Sequence, residues 1–467
     1  MEKLNTKRIE DLLSDIRETR ESVKMLTFRG ELLRADGAEV LANFNLPSLR
    51  VLDLVDMEIE SEGAAKLAEN KTWQNLKELF LKGNKLKDLG VKSLASNESW
   101  SELEILGLVS NEFGSEGVEA LAANKAWTNL LQLHLSSNAI GEEGAAKLGA
   151  NESWKKLEML FLMNNGIGAG GAAKLALNTS WTNLKILSLS FNDMGDEGVA
   201  ALASNKTWVN LQTLELVANN IGPVGATKLG ENTSWTKLKD LDLIQNNIGE
   251  AGALGLAANK SWVNLEIINL STTSIGDAGA VALASNSSWK KLKFLNLQQN
   301  SIGDKGITAL SENITWNELR ILYVPANDIG NEGLEKLALN KTWSKLEELD
   351  LSNNKIGDVG MSNLAANDSW TNLEVLMLTG NKIQDKGASY LAKNKSWARL
   401  GILELADSEL GDEAVLKLAL NPNWPKLHSL EIPEDDLEDP TITVLDTIRN
   451  RSLLQVMPMT EITVANE

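Results

Sequence analysis

Residues 73–99 read W-Q-N-L-K-E-L-F-L-K-G-N-K-L-K-D-L-G-V-K-S-L-A-S-N-E-S, and Trp100 begins the same pattern again. All 14 tryptophans, from Trp73 to Trp424, fall on this grid of 27 residues, with no insertion or deletion between them. A fixed period of this size marks a solenoid, in which each unit buries its apolar face only against its neighbours. Within one unit the hydrophobic period changes. Leu79 and Leu81 point in while Phe80 and Lys82 point out, the alternation of a short strand. Further on, Ala145 and Leu148, or Ala172, Leu175 and Ala176, share one face of a short helix. Small residues there let the helix sit close to the sheet.

Stacking the units gives W-x-x-L-x-x-L-x-L-x-x-N-x-I-G-x-x-G-A-x-x-L-A-x-N-x-[ST]. An asparagine follows each strand at Asn84, Asn111, Asn138, Asn165, Asn192, Asn219 and Asn246, where its amide can pair buried turn backbone. Thr273 and Ser408 replace it, so the ladder is expected to weaken there. Two glycines such as Gly141 and Gly144 frame each helix start, as permissive backbone for tight turns. Acidic residues between or beside them (Asp196, Glu197, Asp304, Asp358) are placed to cap the helix.

The L-x-x-L-x-L-x-x-N core resembles the leucine-rich repeat superfamily, specifically its ribonuclease-inhibitor-like class with a strand and a true helix per unit. The resemblance covers about residue 20 to residue 450. Two departures are the constant unit length and the tryptophan that opens each unit. The implied fold is α/β: a right-handed horseshoe solenoid with a parallel sheet on the concave face and helices on the convex face. Strands stack at about 4.8 Å and helices at about 8–10 Å, so the two layers force a bend.

Three segments follow from the pattern. Residues 1–45 read as an N-terminal helical cap and a degenerate first repeat, with Ile9, Leu12, Leu13 and Ile16 on an amphipathic helix over Lys7 to Glu21. Residues 46–423 form the array, its first unit carrying Met57 in place of the asparagine. Residues 424–467 form a capping repeat and tail, closing through Ile442, Val444, Leu445 and Ile448. Open edges of a solenoid need such covers.

Composition removes several classes of function. The 64 acidic and 45 basic residues leave a formal charge of −19, which repels a phosphate backbone and steers a basic protein partner inward. No nucleic-acid partner is expected. With no cysteine there are no disulfides, thiolate metal sites or cysteine nucleophile. Met1-Glu2-Lys3-Leu4-Asn5 opens no basic-then-apolar signal segment, and no stretch approaches a membrane span of about 18 residues. The expectation is a cytoplasmic monomer without a membrane or a cofactor; export without a cleaved signal is compatible with the same residues.

Apparent motifs fall on the repeat. Gly166, Gly168 and Gly171 match G-x-G-x-x-G, but two of them occupy glycine positions of the unit and no β-α-β segment of suitable length surrounds them. Asn-x-Ser/Thr occurs twelve times at one grid position, for example at Asn70, Asn97 and Asn394, and reads as a turn before the tryptophan rather than a glycan acceptor. The tryptophans read as an aromatic spine rather than a ligand-stacking ladder. His134 and His428 lie eleven units apart, so they make no metal cluster. The run from Glu431 to Asp439 reads as a solvated cap loop.

What folding leaves free is the outward strand column: Phe80, Gly107, His134, Phe161, Ser188, Glu215, Asp242, Asn269, Asn296, Tyr323, Asp350, Met377, Glu404 and Glu431. It has no consensus, whereas the flanking leucines barely change. Phe80, Phe161, Phe191, Phe294 and Tyr323 project there, and Met159 and Met163 flank Phe161. Exposed aromatic and methionine side chains beside polar neighbours are typical of binding hot spots. Glu215, Asp240 and Asp242, then Glu348, Asp350, Glu404, Asp407, Glu431 and Glu434, make the later strands acidic. These residues point to a non-enzymatic scaffold binding a protein with an apolar and a basic end. The rival class is a GTPase-activating or effector-type regulator on the same repeat; the former needs loop groups that stabilise transferring phosphate, and no motif supplies them.

Overall fold

A computed structural model describes residue 13 and residues 20–28, 32–408, 410–433 and 437–455. Of the expected helix over Lys7 to Glu21 the described residues are Leu13, helical and buried, and Arg20 and Glu21, which lie in a turn; the rest falls outside, and so does Glu434. The chain forms two compact units, Met1–Asn246 with Ser261–Val263, and Asn247–Lys260 with Asn264–Glu467.

The first unit contains β1 (Met25–Thr27), β2 (Val51–Asp53), β3 (Glu78–Phe80), β4 (Ile105–Gly107), β5 (Gln132–His134), β6 (Met159–Phe161), β7 (Ile186–Ser188), β8 (Thr213–Glu215) and β9 (Asp240–Asp242). They pair in parallel and in sequence order. The second contains β10 (Ile267–Asn269), β11 (Phe294–Asn296), β12 (Ile321–Tyr323), β13 (Glu348–Asp350), β14 (Val375–Met377), β15 (Ile402–Glu404) and β16 (Ser429–Glu431), paired the same way. A helix of about two turns follows each strand up to β15, for example Gly168–Ala176 and Asp304–Ser311. This is the leucine-rich repeat solenoid fold. Because the period never slips, Leu79 lies opposite Leu106 and Leu106 opposite Leu133, and the apolar residues form continuous columns. Leu79, Leu81, Leu106 and Leu108 are essentially without solvent exposure.

The helical faces behave as their spacing predicts: Ala145, Leu148, Ala172 and Leu175 are buried. The two glycines, however, serve different ends. Gly141 adopts a left-handed φ of 64°, the turn role expected of it. Gly144 is inside its helix, and a Cβ there would meet Ile140 Cγ2 at 2.6 Å and Ser115 Cα at 3.2 Å. The second glycine is a spacer that lets neighbouring helices touch.

Capping also runs differently from the sequence expectation. Asp196 does not cap its own helix; its Oδ1 accepts N–H bonds from Gly222 (2.6 Å) and Gly225 (2.8 Å) in the next repeat. Asp88, Asp277 and Asp358 do the same, one repeat ahead. A repeat lacking this group changes its neighbour's backbone. After Asp88, Asp196, Asp277 and Asp304 the next glycines, Gly114, Gly222, Gly303 and Gly330, are extended. After Ser115, Glu142, Ala169 and Glu250 the next glycines, Gly141, Gly168, Gly195 and Gly276, are left-handed and donate instead to the carbonyls of Asn165, Asn192, Asn219 and Asn300. Glutamate, one methylene longer, does not take the capping role of aspartate.

Two asparagine ladders stitch the repeats. Asn192 Nδ2 donates to Leu162 O and Leu189 O, each at 2.9 Å, while its Oδ1 accepts from Asn165 N and Ile167 N. Thr273 retains a bond to Leu270 O, and Ser408 Oγ has no partner, so the ladder thins where the sequence departs from asparagine. The second ladder uses the Asn-x-Ser/Thr asparagines. Asn97 Nδ2 reaches Ala68 O and Asn70 O in the preceding repeat, and its Oδ1 accepts from Ser99 N. These amides are buried and engaged, as turn residues and not as glycan acceptors.

The tryptophans sit inside. Trp73 to Trp424 are 0–2% exposed, so no ligand can stack on them. Trp73 and Trp100 stack at 6.4 Å with planes 14° apart, and Trp73 Nε1 donates to Phe44 O. At the far end helix Asp439–Gln455 packs on β16, burying Leu445 and Ile448.

Candidate functional site

On the strand face opposite the helices, every second residue of each strand is free of the core. In the first unit the register aligns Phe80, Gly107, His134, Phe161, Ser188, Glu215 and Asp242 on seven neighbouring strands. Strand spacing is smaller than an aromatic ring is wide, so these side chains lie on one another. His134 and Phe161 stack at 4.4 Å with planes 13° apart. Phe80 leans over Gly107, whose missing Cβ would stand 3.0 Å from Phe80 Cδ1. Phe80, His134, Met159 and Phe161 are consequently half-buried, not fully exposed as their outward parity suggests. Burial also lowers the His134 pKa below its ordinary 6.5, leaving a neutral ring that extends the apolar surface.

The exposed apolar groups of this cluster lie at the strand ends. Met163 is 38% and Phe191 48% exposed. Phe191 has a left-handed φ of 59°, in a position that other repeats fill with Gly83, Ser110, Ser137, Asn164 or Ala218. A bulky residue there is a conformational outlier. Ile186, beside Met159, and Ile105, two strands from it across Gln132, are half-buried on the same face and also belong to the apolar surface. They share Met159's parity, which is the signal that places them.

Two strands further the chemistry changes. Glu215 faces Asp242 directly, with Asp240 two residues before it on the same side of β9. Asp240 is pushed up to about 6, by burial first and then by Asp242 and Glu215. Asp242 is raised by burial and Glu215, partly offset by the N–H of Ile244 donating to its Oδ1 at 3.0 Å. Among the described residues no lysine or arginine forms an ion pair with these three; Lys185, on this unit, is taken by Glu158.

In the second unit Phe294 and Tyr323 meet edge to face at 5.5 Å. The Tyr323 hydroxyl donates to Glu348 Oε2 at 2.5 Å, and burial together with that bond raises its pKa. Asp350, Met377 and Glu404 align on β13 to β15. Glu404 is raised by burial and by Glu431 and Asp350. Asp407 and Glu431 are exposed.

Other candidate chemistry dissolves into the repeat. Gly166 and Gly168 are left-handed turn residues, and Gly171 is a helix spacer like Gly144. The Glu142 carboxylate lies where a Cβ of Gly170 would stand, an unfavourable neighbour for phosphate. Among the described residues no cluster of His, Asp and Glu is arranged to hold a metal, and no helix is long and apolar enough to cross a membrane.

A family model described as "Leucine Rich repeat" matches residues 74–95, 103–122, 128–149, 182–203, 209–230, 263–284, 290–311, 314–338, 344–365 and 371–392. No curated protein matches in sequence. Among solved structures, a TDR receptor is similar at 18% identity and a TM-score of 0.50, over 86% of this chain and 67% of its own. An internalin from Listeria monocytogenes is similar at 18% identity and a TM-score of 0.42, over 99% and 95%. The plant peptide hormone receptor RGFR1, solved with RGF2, is similar at 15% identity and a TM-score of 0.38, over 90% and 83%.

Proposed function

Because the chain belongs to the leucine-rich repeat superfamily, we propose that it is a non-catalytic scaffold of the ribonuclease-inhibitor-like class. Its strand face, the concave side expected of a bent array, binds a protein. One observation carries this reading. The inward column is leucine repeat after repeat, while the outward column gathers Phe80, which leans over Gly107, and the stacked pair His134 and Phe161, and then turns acidic at Glu215 and Asp242. Folding requires none of those outward identities. The excess of acidic residues favours a basic partner and disfavours nucleic acid. In the same reading the protein acts as a cytoplasmic monomer.

The test is affinity capture with the wild type beside a Phe80→Ala/Phe161→Ala/Phe191→Ala bait, both shown to be folded. A protein retained by the wild type and lost by the variant supports the reading. Capture of the same set by both baits overturns it.

A further inference from the structure

Resting on that docking role, the register of the first unit constrains the ligand. Phe161 on β6 lines up with Ser188 on β7, Glu215 on β8 and Asp242 on β9. At about 4.8 Å between strands, Glu215 lies about 10 Å and Asp242 about 14 Å across the sheet from Phe161. Ser188, small and buried, leaves the floor between them open. At the apolar end Phe191 holds an exposed ring on a left-handed backbone, where Ala218 and Ala326 would serve the fold. At the other end three carboxylates crowd together without a cation among the described residues. The two ends are complementary to one kind of molecule, an extended polypeptide carrying an apolar side chain and a positive charge.

We propose that this face binds a segment of a basic protein laid across the strands. An apolar side chain seats on Phe161, Met163 and Phe191, and a lysine or arginine three to four residues away lies against Glu215 and Asp242. The spacing follows from geometry: an extended chain advances about 3.3 Å per residue, so 10–14 Å is three to four residues. Asp240, adjacent on the same face, completes the acidic end.

The experiment pans a phage-displayed library of random dodecapeptides against the full chain at low salt, then measures synthetic copies of the enriched peptides by calorimetry. Enriched sequences should carry Lys or Arg three or four residues from Phe, Leu, Trp or Met. Their affinity should fall tenfold or more with Asp240→Asn/Asp242→Asn and again with Phe191→Ala. Both variants are compatible with the fold. Asparagine at 242 keeps an acceptor for Ile244 N–H, and alanine occupies the Phe191 position at Ala218 and Ala326 with φ of 51° and 52°. Peptides weakened by Phe191→Ala but lacking the basic spacing, or indifferent to the asparagine pair, overturn the proposal while leaving the docking role standing. Peptides indifferent to both variants, or no enrichment, overturn both.

Discussion

At the scale of single residues, Asp240 is the most informative side chain on the strand face. Its folded pKa of about 6 stands above the ordinary carboxylate value of 3.8. A group raised on folding gives up stability as pH climbs from the unfolded through the folded value, because the native state then holds a charge it disfavours. Asp240→Asn should therefore raise the unfolding temperature at pH 8, and the gain should disappear near pH 4, where wild-type Asp240 is protonated in the folded state. A gain that persists at pH 4 would show a packing effect instead. Asn192 stands at the opposite pole, a polar side chain the fold requires. Asn192→Ala removes three donated and two accepted bonds in a buried turn. The three carbonyls keep other donors, but the N–H groups of Asn165 and Ile167 lose their only acceptor; at about 1–3 kcal/mol for each of these two, a loss of about 2–6 kcal/mol in urea unfolding is expected.

Among elements, the informative unit is the junction between one helix and the next. Asp196 bonds Gly222 and Gly225 across the repeat boundary, so one side chain sets the backbone of a residue in the following repeat. Asp277 bonds Gly303 and Gly306 in the same way, and Asp277→Ala should cost about 1 kcal/mol, as for loss of an N-terminal cap. It should also turn Gly303 left-handed, the state of Gly195, which follows Ala169. An NMR measurement of the Gly303 φ angle decides this; an extended Gly303 in the variant would refute it. The spine makes a second element-scale prediction. Trp208 is fully buried, and Trp208→Ala should cost about 3–5 kcal/mol. Since each repeat touches only its neighbours, hydrogen exchange should rise most in the adjoining repeats.

For the whole molecule, the net charge of −19 sets how salt acts. Added salt screens self-repulsion in so acidic a chain and screens attraction to a basic ligand as well. Raising sodium chloride from 50 to 500 mM should hold or raise the unfolding temperature while weakening the selected peptides several-fold. An affinity indifferent to salt would remove the carboxylates from the binding account. Ion pairs across neighbouring repeats, such as Lys77 with Glu104 and Lys293 with Glu266, are partly exposed and contribute little against this trend.

The sequence by itself determined the repeat, the strand-then-helix order, the inward leucines, the asparagine ladder after each strand and the list of outward residues. Periodicity carries that information because a solenoid makes every contact at a fixed separation of one repeat. Tertiary structure decided what depends on neighbours meeting. His134 and Phe161 are 27 residues apart and become a stacked pair only because their strands pair. Asp196 looked like a cap for its own helix and serves the following one, since the helices are close enough for a short side chain to cross. Asp240 reads from the sequence as one of nine carboxylates on the later strands, and burial and the pairing of Glu215 with Asp242 single it out. Desolvation and mutual repulsion act through space, and only the packed chain brings those charges together.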